Sequence, residues 1–210
     1  MPFETSQYLA LRPYAYHVTA SENLPALRDC RRIRPAAELL RLAKQLALLR
    51  ERRETHVPLG IDGQTILLKD QRPLIEKNAD LDGDWDFGDF IEYINGHVFF
   101  WPGTQERVIG PGRRLLAHYE SEGPAILRVP TQQLFEINAT VTPLYCAFNS
   151  GAPRQQHGRR VRRGPDLFAP AELFQRRASE VVELGFRDAV TLPMETELFN
   201  AGTWMRLFRD

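Results

Sequence analysis

The sequence predicts an α+β domain with a mixed or antiparallel sheet. Three observations carry that expectation. The strongest helical periodicity falls before residue 54, apolar β runs dominate the middle and end of the chain, and strands and helices do not alternate as regular βαβ units would require. With 210 residues, 43% of them hydrophobic, the chain can bury one sizeable core, and a single domain over residues 1–210 is expected.

Residues 1–13 read as a short helical or irregular arm ending at Pro13, and residues 14–18 as the first strand. Ser21 or Asn23 is the expected N-cap of the next helix, because a side-chain oxygen there can accept a bond from an orphan first-turn amide. Pro25 then falls in or near the first turn, where a missing N–H costs least. Residues 31–35 break this helix.

The clearest helix is predicted over residues 38–53. Leu39, Leu42, Ala43, Leu46 and Leu49 recur at three- and four-residue steps, and Arg41, Lys44, Arg50 and Arg53 form the opposite, solvated face. Residues 58–62 read as a turn, 65–69 as a strand, and 70–74 as the turn leaving it.

The stretch 76–92 is acidic, and Asp80, Asp82 and Asp84 match the opening of an EF-hand loop. The sixth position, which needs glycine, is Trp85, and the twelfth, which needs a bidentate glutamate, is Ile91. A calcium loop is therefore rejected in favour of an acidic loop leading into a short helix over 87–94. Residues 97–101 form the most apolar β run, closed by Pro102-Gly103. A helix over 105–120 would be interrupted at Gly110-Pro111-Gly112, and residues 125–129 read as a buried strand. A helical turn at 132–135, a loose strand over 139–148, a helix over 166–176 and a strand over 179–186 complete the expected order. Residues 191–210 close the domain.

Lysine plus arginine and aspartate plus glutamate each total 27, so a globally basic nucleic-acid binder is not indicated. Locally, Arg154, Arg159, Arg160, Arg162 and Arg163 lie in a loop without an acid, and Arg154, Arg159 and Arg160 are candidate contacts for nucleic acid or a partner. Two isolated cysteines, Cys30 and Cys146, fit a reducing cytoplasm. The N-terminus lacks the basic and apolar regions of a signal peptide, and no apolar run reaches membrane-spanning length. The expectation is a cytoplasmic protein with no membrane partner.

Several chemistries find no support. His17, His56, His97, His118 and His157 show no paired ligand spacing, so no metal is expected. There is no P-loop, no G-x-G-x-x-G after a strand, and no nucleophile elbow around Ser150-Gly151. What remains is a carboxylate in the late β run: Glu180 and Glu183 would point to opposite faces of an extended strand, and Glu183 lies between Val182 and Leu184.

Tyr16-His17-Val18-Thr19 followed by Asn23-Leu24-Pro25, the run from Asp89 to Pro102, and the late Val182-Glu183-Leu184-Gly185-Phe186 stand in an order that resembles the DarT-like branch of the ADP-ribosyltransferase superfamily. The likeness extends over about residues 14–192 and is one of order and spacing. It implies a split, strongly bent mixed or antiparallel β-sheet with flanking helices, and an enzyme that takes NAD as substrate without a metal. The implied activity is transfer of ADP-ribose to a nucleic-acid or protein acceptor, in the manner of toxin or defence enzymes, with an antitoxin as a further expected partner; the alternative is a non-catalytic module on the same fold that binds nucleic acid or a partner protein through the arginine loop over residues 154–163.

By the same resemblance, His17 and Thr19 hold the adenosine side of NAD. Glu183 is the catalytic glutamate, since Val190 keeps the family's spacing, with Glu180 as fallback. Arg72 is the family's arginine, with Arg53 as competitor. Phe99 or Trp101 is placed to stack on nicotinamide. The run from Phe99 to Thr104 lacks the Pro-Arg-Ser element that follows this strand in DarT proteins, so a DarT-type DNA substrate does not follow from the resemblance.

Overall fold

The computed structural model describes residues 3–151, 155–156 and 159–208; for residues 78, 115, 118, 155, 156, 159 and 160 it describes the backbone alone. It is α+β, built on a seven-stranded sheet. The strands are β1 (Tyr14–Thr19), β4 (Val98–Gly103), β5 (Ala125–Pro130), β6 (Leu144–Cys146), β7 (Glu183–Phe186), β8 (Glu197–Asn200) and β9 (Thr203–Arg206). Their order is β9-β8-β5-β1-β4-β7-β6, and every neighbouring pair is antiparallel. A separate hairpin, β2 (Val57–Ile61) and β3 (Gln64–Leu68), stands beside this sheet.

The helices are α1 (Thr5–Leu11), α2 (Leu24–Cys30), α3 (Ala36–Leu42), α4 (Phe87–Asn95), α5 (Gly110–Tyr119) and α6 (Thr131–Ile137). One face of the sheet carries the main core: Phe100, Leu127, Leu184 and Phe186 pack with Tyr8 of α1 and Leu134 of α6. The other face is covered in two patches. Phe90, Ile91 and Ile94 of α4 pack with Leu144, Cys146 and Phe168, while Tyr16, Val18 and Trp101 pack with Val108 and with Leu116 of α5. Alternation along each strand assigns side chains to these two faces.

β4 changes partners midway. Its first half pairs with β7, from Phe186↔Val98 to Leu184↔Phe100, and its second half pairs with β1, from Tyr16↔Trp101 to Tyr14↔Gly103. Beyond Tyr16 and Trp101 the β1–β4 ladder stops, and the two strands part. This opening positions the site.

Several sequence expectations need correction. The long helix over 38–53 is two pieces. α3 ends at Leu42, and Lys44 takes a left-handed conformation, φ 57°. The amide of Gln45 then donates to Leu40 O at 2.8 Å and that of Lys44 to Arg41 O at 3.1 Å, which caps the helix end. Leu40 and Ala37 are the buried residues of α3; of the expected apolar face, Leu39, Ala43 and Leu49 pack against the cluster around Leu40, whereas Leu42 and Leu46 are exposed.

Residues 58–62 are strand rather than turn. Asp62-Gly63, with φ 52° and 77°, closes the β2–β3 hairpin in the geometry that glycine and aspartate favour. Gly110-Pro111-Gly112 starts α5 instead of interrupting a helix, and a Cβ on Gly112 would lie 2.9 Å from Trp101 Cβ. Of residues 139–148 only β6 is strand. Residues 166–176 form turns, anchored by the Tyr145↔Ala169 bridge and by amides of Leu173 and Phe174 on Pro170 O. The expected strand over 179–186 begins only at Glu183, because residues Ala178–Glu180 make a short 3-10 turn.

The acidic stretch serves the start of α4. Asp86 Oδ1 accepts from the Asp89 amide at 2.8 Å, and Asp89 Oδ2 accepts from the Asp86 amide at 2.9 Å. Arg50 bridges both carboxylates. Asp82 pairs with Arg162.

Candidate functional site

A cavity of about 480 Å³ lies where β1 and β4 part. Its walls come from β1, the β2–β3 hairpin, β4, residues 149–151 and the first residue of β7. His17, Thr19, Phe99, Trp101 and Glu183 all line it, so the structure brings together five of the residues singled out in the sequence.

Glu183 is 2% exposed. It opens β7, opposite Cys146 of the neighbouring strand. Its Oε2 accepts a hydrogen bond from the Ser150 amide at 3.0 Å. Burial pushes its pKa up to about 7, against the pull of the Ser150 bonds, the Arg163 guanidinium and the nearby Trp101 indole. Arg163 is itself buried: its Nε donates to Ser150 O at 3.1 Å, its Nη1 to Val161 O at 3.0 Å, and it stacks on Phe148. It therefore fixes the loop that holds the carboxyl. Trp101 Nε1 makes no hydrogen bond of ordinary geometry, although the indole lies close enough to Glu183 to favour its charged form.

His17 is half-buried against Phe100, and its Nδ1 lies 2.8 Å from Phe99 O. Burial pushes its pKa down. The neutral ring therefore donates from Nδ1 to the carbonyl and keeps Nε2 as an acceptor. Thr19 Oγ1 accepts from Asn23 Nδ2 at 2.9 Å. Asn23 was an expected N-cap, but its side chain makes no capping bond. It spans instead to β3, donating to Leu67 O at 2.9 Å and accepting from the Leu67 amide at 2.7 Å. One buried amide thus ties β1 to the hairpin that walls the cavity.

Arg72 does not line this cavity. It faces a second one, of about 350 Å³, where its Nε donates to Asp70 Oδ2 at 2.9 Å and its Nη2 donates to Glu122 Oε1. Arg53, the competing arginine, does line the first cavity. It is not on a solvated face: it is 6% exposed, donating to Lys69 O at 3.0 Å and to Asn95 Oδ1 at 2.8 Å. Burial pulls its pKa down to about 10, against the attraction of Asp70 and the influence of Tyr119. Glu180, the fallback glutamate, is exposed and accepts from the Arg177 amide. Arg154 lies outside the described residues, and so do the side chains of Arg159 and Arg160.

Two groups escaped the sequence reading. Ser150 holds Glu183 through its backbone amide, which residue type does not signal. His97 also lines the cavity, and its place at the start of the most apolar strand made it look like core. Cys146 is buried, and Cys30 is exposed on the cavity wall.

Among the described residues, one group brings metal-ligand atoms together: His56, Asp70 and Glu122, within 4.8 Å of one another. Their spacing in sequence gave no hint of it. His56 meets Asp70 with Nδ1 and Glu122 with Nε2, so the two carboxylates sit on opposite edges of the ring. Lys69 and Arg72 already pair with these acids. The arrangement is a balanced ion network, which a divalent cation would have to break.

No helix among the described residues is long and apolar enough to cross a membrane. No curated protein and no solved structure matches the chain. Residues 13–196, from the start of β1 to just before β8, match the model of a family of unknown function, DUF7002, and the chain belongs to that family.

Proposed function

We propose that the protein is an NAD-dependent ADP-ribosyltransferase, with an ADP-ribosyltransferase-like split sheet, that modifies a nucleic-acid or protein acceptor. The observation that carries this reading is the meeting of His17, Thr19, Phe99, Trp101 and Glu183 on one cavity, from three strands far apart in sequence. The parting of β1 from β4 supports the split-sheet fold. A volume of about 480 Å³ is in the range of small-molecule sites. Arg32 and Arg34 also line the cavity and supply positive charge for a diphosphate.

The chemistry follows from where Glu183 sits. As the nicotinamide–ribose bond breaks, its electron pair leaves with neutral nicotinamide and positive charge grows on the anomeric carbon. A carboxylate in an apolar wall stabilises that charge more than one in water does. The raised pKa opposes ionisation in the empty cavity, and the pyridinium of NAD, brought alongside, favours it. The acceptor nucleophile then attacks the anomeric carbon, forming the new glycosidic bond, and its proton passes to solvent. Phe99 offers an aromatic face to the nicotinamide ring.

The direct test is incubation of the protein with NAD labelled on the adenylate phosphate and mixed DNA, RNA and protein acceptors. The expected result is label on one acceptor with equimolar nicotinamide release. Absence of both, with no saturable thermal shift at millimolar NAD, would sink the assignment.

A further inference from the structure

A buried cation in a folded protein ordinarily has a counter-charge, because it loses its hydration and needs a partner in return. Arg53 departs from that rule. It is 6% exposed, yet among the described residues no carboxylate lies within ion-pair distance of its guanidinium. Asp70 is the acid whose charge acts on it from further off. The Asp70 carboxylate is already engaged by His56, Arg72 and Tyr119.

The groups that hold Arg53 are neutral. Gln71 clamps its backbone: the Arg53 amide donates to Gln71 Oε1 at 3.1 Å, and the Gln71 amide donates to Arg53 O at 2.8 Å. Nε is bonded to Lys69 O and Nη1 to Asn95 Oδ1. Asn95 is fixed in turn, since its Oδ1 accepts from Gln71 Nε2 at 3.0 Å and its Nδ2 donates to Leu48 O and Leu49 O. The guanidinium is therefore held in place before any ligand arrives. Its remaining donors, those of Nη2 above all, make no hydrogen bond among the described residues. Nη2 is also absent from the six buried polar atoms that lack both a partner and accessible surface, so it keeps surface open to a ligand. Arg53 lines the larger cavity together with Lys69, Gln71 and Asn95, and that surface opens there. Even with burial pulling its pKa down to about 10, the group is charged at neutral pH.

We infer that Arg53 is an anion site in the cavity wall, and that the molecule bound there brings a phosphoryl group whose oxygens take the Nη2 donors and supply the missing counter-charge. A guanidinium fits phosphate and carboxylate oxygens alike. Arg32 and Arg34 on the same cavity favour the more highly charged phosphoryl. The inference goes beyond the transferase reading and does not depend on it: the phosphoryl belongs to a dinucleotide or to any other phosphate ester that the cavity accepts.

The full chain is titrated calorimetrically at pH 7 and fixed ionic strength with inorganic diphosphate and, separately, with succinate. Diphosphate is expected to fill one saturable site and succinate to bind about tenfold or more weaker. In Arg53→Met, which keeps the bulk and removes the charge, diphosphate affinity should fall about tenfold or more. Arg72→Gln, which removes a cation of the second cavity, should leave it within about threefold. In the wild type the side-chain Nε–H resonance of Arg53 should shift along the same binding curve, a readout that decides the matter even if Arg53→Met fails to fold. No saturable binding of diphosphate, an unmoved Arg53 resonance, or unchanged affinity in Arg53→Met overturns the inference, and equal binding of succinate overturns the choice of a phosphoryl. Diphosphate binding without any binding of NAD sinks the transferase reading and leaves the anion site standing, whereas NAD binding without a response to diphosphate does the reverse.

Discussion

His17 Nδ1 lies 2.8 Å from Phe99 O, just beyond the point where the backbone ladder between β1 and β4 ends at Tyr16↔Trp101. A side chain has taken over a cross-strand bond that the backbone gives up. The carbonyl of Phe99 stays satisfied although its strand is parting from β1, and the cavity can open without leaving a buried orphan there. The same bond turns the imidazole so that Nδ1 is occupied and Nε2 remains an acceptor.

Replacing His17 should therefore affect both stability and binding. His17→Ala leaves Phe99 O without its partner, and urea unfolding at pH 7 should show a loss of about 1–3 kcal/mol. His17→Phe keeps the ring and should lose NAD affinity about tenfold, read by calorimetry. Wild-type affinity in His17→Phe would remove this residue from the binding surface.

The two arginines should separate cleanly. Arg53 is enclosed, and Arg53→Ala strips donors from Lys69 O and Asn95 Oδ1. A loss of about 2–4 kcal/mol is expected in denaturant titration. Arg72 lies half-exposed on the other cavity, so Arg72→Gln should leave nicotinamide release within about threefold of wild type. A collapse of activity in Arg72→Gln with unchanged melting would return that residue to the catalytic machinery.

These arginines also mark where sequence reading stops. The α+β class and the strands carrying His17, Phe99 and Glu183 were legible, because β-prone apolar runs with flanking turns are local signals. Which arginine turns inward depends on Asn95 and Lys69, which come together only in the fold. The long helix failed at Lys44, whose left-handed conformation carries no glycine or asparagine signature. The β2–β3 hairpin was hidden by Pro58 and Gly60, although Asp62-Gly63 is a hairpin signal that outweighs them. Glu180 and Glu183 were expected on opposite faces of one extended strand, whereas the turn at Ala178–Glu180 takes the surface acid out of the strand that carries the buried one.

Asn23 ties the hairpin to β1 through three side-chain hydrogen bonds, with Thr19 and with both polar groups of Leu67. Asn23→Ala should cost about 2 kcal/mol. Amide exchange should quicken across residues 57–68 while the seven-stranded sheet stays protected. Exchange unchanged in the hairpin would mean that packing on α3, through Leu40 and Leu59, holds it without Asn23.

Glu183 gives a pH dependence with a definite sign. Its folded pKa is about 7, above the ordinary 4.5. The folded state therefore holds the proton more tightly than the unfolded chain does between those values. Its contribution to stability is fully present below about pH 4.5 and is lost as pH rises through about 7. Glu183→Gln imitates the protonated form and should be free of this loss. Between pH 5 and pH 8, unfolding free energies should show the wild type losing about 2–3 kcal/mol relative to the variant. Catalysis should run the other way, because the carboxylate is the active form: nicotinamide release should rise as Glu183 ionises, and Glu183→Gln should lower it by about 100-fold or more at pH 8, with the two proteins converging as pH falls and Glu183 takes up its proton. A difference in stability that stays flat from pH 5 to pH 8 would mean that Glu183 is ionised in the folded protein throughout, with the Ser150 amide and Arg163 outweighing burial.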